Sequence, residues 1–191
     1  MSINSIRTEG LYTYAHYLTW PEEERWELID GVPFDMTPAP STKHQEILGE
    51  LHRLFSQYLH GKLCKVYLSP FDVRLPKGDE KDGGISTVIQ PDLTIIYDRS
   101  KIDEHGCKGA PDLIIEILSP STTKKDLGVK LRLYERVGVS EYWVVHPNDQ
   151  TILVFTLKEG TYATPTIYKT PDEVLVQLLP EFSILLSEVF Y

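Results

Sequence analysis

The chain has 191 residues and a formal net charge of −9, with 28 acidic and 19 basic residues. This length is sufficient for one domain with a substantial core and is short for two. The acidic balance argues against a protein that covers nucleic acid through broad phosphate contacts. It leaves room for an enzyme that meets nucleic acid briefly and holds a divalent cation.

No apolar run approaches the ~20 residues that a membrane span needs. Residues 1–7 lack the apolar core of a signal peptide. The two cysteines, Cys64 and Cys107, cannot build a disulfide framework and are typical of thiols in a reducing compartment. We therefore expect a cytoplasmic protein with no membrane partner.

The predicted elements begin with a β-hairpin around Asp30-Gly31, a residue pair typical of two-residue hairpin turns. Its second strand contains Pro33, which places that strand at the edge of a sheet. A helix is predicted from Ser41 to about His60, because apolar residues recur there at helical spacing and a glycine follows.

Two strands are expected next, over residues 65–75 and 88–97. They are joined by a polar, glycine-rich loop over residues 76–87, which we expect to be exposed and mobile. Residues 111–118 are apolar on both faces, as is typical of a strand covered on both sides. Hydroxyl-bearing residues at 119–123 are expected to cap the start of a second long helix.

That helix is predicted to continue to about Val137, before another buried strand over residues 141–145. A hairpin around Glu159-Gly160 and a short strand near residues 174–178 complete the chain. This order predicts an α/β fold with a mixed β-sheet core flanked by helices, and with extra N- and C-terminal β-hairpins.

Two carboxylates stand out against these strands. Glu116 interrupts an apolar run, and a lone ionised carboxylate buried there costs several kcal/mol unless it is paired or metal-bound. A structural salt bridge or a protonated carboxyl is the alternative for Glu116. Asp92 follows Pro91 and enters the preceding strand, so the two carboxylates can meet across neighbouring strands. Hard cations such as Mg²⁺ or Mn²⁺ prefer such oxygen ligands and keep several waters.

Lys130 is the candidate positive partner of these carboxylates. At helical spacing it shares a stripe with Asp126 that borders the packed face of the helix, so it can point towards the sheet. Lys125, like the neighbouring arginines, is expected on the opposite, solvated side. An i,i+4 surface pair between Lys130 and Asp126 is the alternative.

Other polar residues carry weaker signals. Asp72 could approach the site, but an exposed strand carboxylate is the more usual interpretation. His44, near a helix start, is more typical of a capping or surface histidine than of a base. His44, His52 and His60 are eight apart and lack the i,i+4 spacing of zinc ligands, so we reject a zinc site.

A combination of segments resembles the Uma-type family of bacterial restriction endonucleases, within the PD-(D/E)XK nuclease superfamily. These segments are residues 26–31, 41–44, 90–92 and 110–122, Asp126, Lys130, Tyr134 and residues 138–145. The likeness covers nearly the whole chain. It implies a restriction-endonuclease-like fold that occupies residues 1–191 as a single domain.

The resemblance also implies an activity, which is metal-dependent hydrolysis of DNA phosphodiester bonds. Pro91-Asp92 matches the PD element, and Glu116 matches the first residue of (D/E)XK. Asp92, Glu116 and the Ile117 carbonyl are then expected to hold Mg²⁺ or Mn²⁺. A homodimer is implied as well, and the C-terminal third of the chain, which ends at Tyr191, offers a surface for it.

The chain departs from the superfamily pattern at one position. Leu118 stands where a lysine is expected, and Lys130 on the next helix is the substitute that the resemblance suggests. Glu27 resembles an acidic residue that superfamily members bring from an early element, with a surface strand glutamate as its alternative. Leu118 and the net charge favour a rival hypothesis, a non-catalytic binding or assembly protein that keeps the fold. A third hypothesis is an enzyme for a smaller phosphorylated or nucleotide substrate.

Overall fold

The computed structural model describes residues 11–21, 23–36, 39–120 and 122–190. Three expectations fall wholly or partly outside the described residues: the absent signal peptide at residues 1–7, the capping hydroxyl of Ser121, and Tyr191 in a dimer surface. Within the described ranges the chain forms a mixed α/β fold, as the sequence predicts.

The helical segments are few. They are α1 (Tyr14–Tyr17), α2 (Thr42–Leu59) and a π-helical segment, Lys125–Lys130, that continues as α3 (Leu131–Val137). Ser41 caps α2 by accepting a hydrogen bond from the backbone N–H of His44, as the predicted helix start requires. Gly138 ends α3 in the left-handed conformation.

The strands fall into two larger sheets and a short ribbon. Those of the first sheet are β1 (Trp26–Ile29), β2 (Val32–Asp35), β4 (Val73–Arg74), β5 (Val88–Ile89), β7 (Ile102–Asp103) and β8 (Gly106–Lys108). The central sheet contains β3 (Lys65–Leu68), β6 (Leu93–Ile96), β9 (Leu113–Ile117), β10 (Glu141–His146), β11 (Thr151–Lys158), β12 (Thr161–Tyr162) and β13 (Thr166–Lys169). The ribbon pairs β14 (Glu173–Leu175) with β15 (Ser183–Leu185).

The central sheet has the order β12-β11-β10-β9-β6-β3, and β13 pairs with β11. β9 and β10 are parallel, because the helix that connects them returns the chain to the same end of the sheet. The other pairings in this sheet are antiparallel. The predicted mixed sheet is therefore present.

Helices cover both faces of the central sheet. The cluster on the α2 side includes Leu51, Phe55, Leu93, Ile115 and Trp143. The cluster on the α3 side includes Ile114, Leu133, Tyr134, Tyr142 and Val144. Because side chains alternate along a strand, Glu116 shares the α3 face with Ile114. The sheet thus directs this carboxylate towards the helix that carries the candidate lysine.

The first sheet has the order β2-β1-β5-β4-β8-β7, and its strand β1 is buried along its whole length. Leu28 packs with Tyr14 and Ile85, whereas Ile29 joins the cluster around α3. Glu27 lies two residues before Ile29 and therefore points to the same side. This packing places Glu27 against the π-helical segment.

The predicted hairpin and its edge strand are confirmed, but the long strands predicted over 65–75 and 88–97 are wrong. Each is split, and its two halves pair in different sheets. Pro70 and Pro91 lie at the breaks, where the missing N–H prevents a continuous ladder.

The polar connections are more closely packed and paired than the sequence suggests. The tip of the 76–87 loop is exposed, yet Ile85 and Thr87 at its end are buried. The connection over 98–110 contains the β7–β8 hairpin. The fully buried Arg74 ties both together, because its guanidinium pairs with Asp82 at 2.6 Å and Asp103 at 2.5 Å. Ion pairing therefore supplies order where few apolar residues are available.

In the described ranges, none of the helices has the length and apolar character needed to cross a membrane. Cys64 and Cys107 are free and buried, which agrees with their interpretation as ordinary thiols. The C-terminal strand near 174–178 is present as β14, and its partner β15 was not predicted.

Gly106 provides a test of the fold. A Cβ atom there would lie 2.2 Å from the Asp72 carbonyl oxygen, and φ is +112°. We expect Gly106→Ala to lower the free energy of unfolding by about 2 kcal/mol or more, because backbone on both sides must move. Gly49→Ala in α2, with open space around it, should instead stabilise by about 1 kcal/mol. Urea unfolding measures both, and a Gly106→Ala variant as stable as the wild type would contradict the packing described.

Candidate functional site

A cavity of about 390 Å³ lies at the carboxyl end of β9, beside the amino end of β6. The first turns of α2 and the start of the π-helical segment form its walls. Four predicted site residues line it: Asp92, Glu116, Ile117 and Lys130. The sheet and the two helix starts therefore bring together residues that are far apart in the sequence.

The two predicted carboxylates face each other across the strands. The β6–β9 register pairs Leu93 with Ile115, so its continuation sets Asp92 opposite Glu116. Directly opposed residues have Cβ atoms about 5 Å apart, and like charges in such a pair are destabilising. A cation between these two carboxylates would remove that repulsion.

Asp92 is held by one of its oxygens. Its Oδ2 accepts hydrogen bonds from the Ile117 backbone N–H at 2.8 Å and from His44 Nε2 at 3.1 Å. The Asp92 side chain is 20% exposed and lines the cavity. Among the described residues, its hydrogen bonds all use Oδ2, which leaves Oδ1 available to a ligand.

The Glu116 side chain is also held through one of its two oxygens, and it is more deeply buried than the Asp92 side chain. Its Oε1 accepts hydrogen bonds from Lys130 Nζ and from the Tyr134 hydroxyl, both at 2.7 Å. All side-chain hydrogen bonds of Glu116 within the described part of the chain go to Oε1. Oε2 is therefore also available in the cavity wall.

Lys130 connects this carboxylate to Glu27. Its Nζ lies 2.7 Å from Glu116 Oε1, 2.7 Å from Glu27 Oε1 and 3.8 Å from Asp126 Oδ1. Lys130 is 2% exposed and Glu27 is fully buried. The alternatives of a surface Lys130–Asp126 pair and of a surface strand Glu27 are therefore wrong.

The expectation that Lys125 lies on the solvated side is also wrong. Lys125 lines the cavity, and its Nζ donates to Glu27 Oε2 at 2.8 Å. Residues five apart lie about 140° apart on an α-helix. In a π-helix, hydrogen bonds join residues five apart, so Lys125 and Lys130 stand one above the other. The prediction assumed α-helical spacing, which this segment does not have.

Burial and charge set the protonation of the cluster. Burial raises the pKa of the Glu116 carboxyl to about 8, with nearby carboxylates adding to the effect and Lys130 opposing it. Burial also opposes ionisation of Glu27, but Lys130 and Lys125 together hold its pKa below the ordinary value. The Lys130 ammonium, surrounded by carboxylates, has its pKa raised well above normal despite its burial. Burial raises the pKa of Asp126 as well.

These groups fit a divalent cation. When Glu27, Asp92, Glu116 and Asp126 are all ionised, the four carboxylates exceed the two lysines by two negative charges. Asp126 Oδ1 is buried without a hydrogen-bond partner among the described residues. In those same ranges no group of three or more His, Cys, Asp or Glu is arranged to hold a metal. A cation held here would take two carboxylates and complete its shell with other oxygens, as Mg²⁺ does.

Three residues differ from, or add to, their sequence interpretations. His44 is 6% exposed rather than a surface residue, and besides starting α2 it contacts Asp92. Asp72 is outside the cavity lining, but it accepts a hydrogen bond from Gln90, which is part of that lining. Leu118 is buried in the α3-side cluster. His44 shares the helical spacing of the buried residues of α2, which could have placed it on the inner face. Its contact with Asp92 has no signal in the sequence.

Comparison with known proteins identifies the family of this chain. A family model described as "Putative restriction endonuclease", Uma2, matches residues 14–187. The chain belongs to the Uma2 family. The resemblance inferred from the sequence is thereby confirmed.

This Uma2 member is also similar to individual proteins. An uncharacterized protein of Synechocystis sp. is 30% identical over 120 residues, which are 62% of this chain and 59% of that protein. The match therefore spans less than two thirds of that relative. A crystal structure from Anabaena variabilis, described as "a putative nuclease belonging to DUF820", superimposes with a TM-score of 0.73 at 22% identity. It covers 93% of this chain and 97% of its own, and so confirms the restriction-endonuclease-like fold.

The Glu116 carboxyl makes the metal-free protein pH-sensitive. Its folded-state pKa, about 8, lies above its ordinary value of 4.5, so the folded state holds a proton that the unfolded state loses between these values. The resulting stabilisation is complete below the ordinary pKa and is lost as pH rises through about 8. We expect Glu116→Gln, which cannot titrate, to lose less stability than the wild type over this range. Urea unfolding in EDTA from about pH 5 to about pH 9 measures the difference, and parallel profiles would contradict it.

Proposed function

We propose that the protein is a metal-dependent endonuclease that hydrolyses phosphodiester bonds of DNA. The observation that carries this proposal is the opposed pair of Asp92 and Glu116, each with one oxygen left for the cavity and Glu116 backed by Lys130. The description of the Uma2 family as restriction endonucleases supports DNA as the substrate.

In this proposal Asp92 and Glu116 hold Mg²⁺ or Mn²⁺, with the Ile117 carbonyl as a further ligand. Ile117 lines the cavity next to Glu116, and its N–H already fixes Asp92. When bound, such a cation polarises a phosphoryl oxygen and lowers the pKa of the attacking water. His44 orients Asp92 for this role, because its ring nitrogen hydrogen-bonds the carboxylate oxygen Oδ2.

The protein's own residues then prepare the reaction. Water attacks phosphorus and releases one proton to solvent, the bond from phosphorus to the leaving oxygen breaks, and the leaving oxygen takes one proton from solvent. Lys130 and the Tyr134 hydroxyl keep Glu116 in place through its Oε1. The Lys130 charge also offsets the negative charge that develops on the phosphoryl oxygens.

Lys130 thus takes the role of the lysine that Leu118 replaces. The rival hypothesis, a non-catalytic protein with a degenerate site, relied on that replacement and on the net charge of −9. The Lys130 ammonium group, 2.7 Å from Glu116, supports retention of function, because it places a positive charge beside the second carboxylate, where the superfamily lysine is expected. An enzyme acting on smaller nucleotides uses the same cluster, so the substrate panel below includes them.

The proposal predicts that Asp92→Asn and Glu116→Gln each lower DNA cleavage by at least about 100-fold. Both changes remove a ligand charge and keep the shape of the side chain. Cleavage of plasmid DNA, with RNA and a nucleoside triphosphate in parallel, measures activity with Mg²⁺ and Mn²⁺. Titration calorimetry with Mn²⁺ measures binding, which we expect both variants to lose.

Asp112→Asn is the matched control. Asp112 also follows a proline and also enters a strand, but it lies at the other end of β9, where its Oδ2 accepts a hydrogen bond from the Tyr97 N–H. It should retain both cleavage and Mn²⁺ binding. Wild-type protein that binds no Mn²⁺ would establish the degenerate-site rival, and cleavage retained by Glu116→Gln would remove the assigned role of Glu116.

A further inference from the structure

Lys125 is a cation in the cavity wall that the proposed chemistry does not use. Its side chain is 14% exposed, against 2% for Lys130. Lys130 has Glu27, Glu116 and Asp126 around its ammonium group, whereas the ion pair that the described residues give Lys125 is with Glu27 alone. Of the two lysines, Lys125 is therefore the one that is free to move.

Glu27 keeps partners on its other oxygen when Lys125 leaves Oε2. Its Oε1 is 2.7 Å from Lys130 Nζ and accepts a hydrogen bond from the Gln90 backbone N–H at 3.0 Å. A buried carboxylate is costly when its last partner leaves, but Glu27 keeps these two. Lys125 can therefore leave Oε2 without exposing an uncompensated buried charge.

The charge of the cavity indicates which ligand Lys125 would meet after it leaves Glu27. When Glu27, Asp92, Glu116 and Asp126 are all ionised, the four carboxylates exceed the two lysines by two negative charges, and a bound divalent cation would bring the cluster to neutrality. A phosphodiester that enters the cavity adds one more negative charge. A lysine at the cavity wall, with a flexible stem and three N–H donors, is suited to meet it.

The π-helical register makes this arrangement possible. An α-helix through Lys130 would turn Lys125 away from the cavity by about 140°. The π-helical segment instead sets both lysines on the same carboxylate, one on each oxygen of Glu27. The segment thus supplies two cations to one cavity, Lys130 fully buried and Lys125 partly exposed.

We propose that Lys125 is a phosphate-binding residue of this site, held on Glu27 in the free protein and transferred to a phosphate oxygen of the bound nucleic acid. The proposal rests on the proposed function in so far as it takes nucleic acid as the ligand. It concerns binding rather than chemistry, so it can be tested without turnover.

The test is the affinity for a short fluorescein-labelled DNA duplex, measured by fluorescence anisotropy with Ca²⁺ replacing Mg²⁺ at several salt concentrations. The slope of log K against log [salt] is negative, and removing one phosphate contact decreases its magnitude by about 0.9 for duplex DNA. We expect Lys125→Ala to show that decrease and to bind about tenfold more weakly. Mn²⁺ binding, measured by calorimetry, should stay at the wild-type level.

Lys124→Ala is the control, because Lys124 is the adjacent, exposed lysine and its substitution removes the same charge. It should leave the slope unchanged, and Lys125→Arg should restore both slope and affinity. Lys125→Gln keeps a polar side chain beside Glu27 if the alanine variant is unstable in urea. Equal slopes for Lys125→Ala, Lys124→Ala and the wild type would overturn the proposal, as would wild-type protein that does not bind the duplex.

The two proposals fail separately. A wild-type protein that binds the duplex with a Lys125-dependent slope but cleaves no substrate in Mg²⁺ or Mn²⁺ retains the phosphate-binding role and loses the nuclease function. A protein that cleaves DNA with equal efficiency in the Lys125→Ala and Lys124→Ala variants, with equal salt slopes, retains the nuclease function and loses the role of Lys125.

Discussion

The buried ammonium group of Lys130 is the contact on which the site depends. It joins Glu27 of β1, in the first sheet, to Glu116 of β9, in the central sheet, at 2.7 Å each. Removing one partner of such a buried pair costs about 3–5 kcal/mol, because the remaining charge has no water to solvate it. The Lys130 ammonium group thus holds the first sheet against the central sheet beside the cavity.

The two carboxylates beside this contact have the arrangement that the proposed cation site requires. Among the described residues, neither side chain uses both of its carboxylate oxygens for hydrogen bonds. Instead, each of these two carboxylates binds the protein through one oxygen and lies at the cavity through the other. When all four carboxylates are ionised, they exceed the two lysines by two negative charges, which a divalent cation would balance.

Some of this organisation could be predicted from the sequence. Glu116 was detectable because a single charge in an apolar strand is costly, and Asp92 because it enters the neighbouring strand after a proline. Helical spacing placed Lys130 at the border of the packed face, and the resemblance to a known family gave that placement a role. These signals are local, since each depends on a few residues around one position.

The missed features depend on tertiary structure or on irregular backbone. Glu27 is buried because the first sheet packs against the helix, which its own hairpin sequence does not encode. Lys125 was misplaced because the prediction used α-helical spacing for a π-helical segment. The contact of His44 with Asp92 joins residues 48 positions apart in the sequence. Prolines at the strand breaks were visible, but the exchange of partners between sheets at those points was not.

The central claim is that Asp92 and Glu116 form one divalent-cation site. An anomalous difference map from a crystal grown with Mn²⁺ tests it most directly, because the peak locates the ion independently of any activity. The account predicts a single strong peak in the cavity, within coordination distance of Asp92 Oδ1 and Glu116 Oε2. A cavity without a peak, or an ion bound elsewhere on the protein, would contradict it.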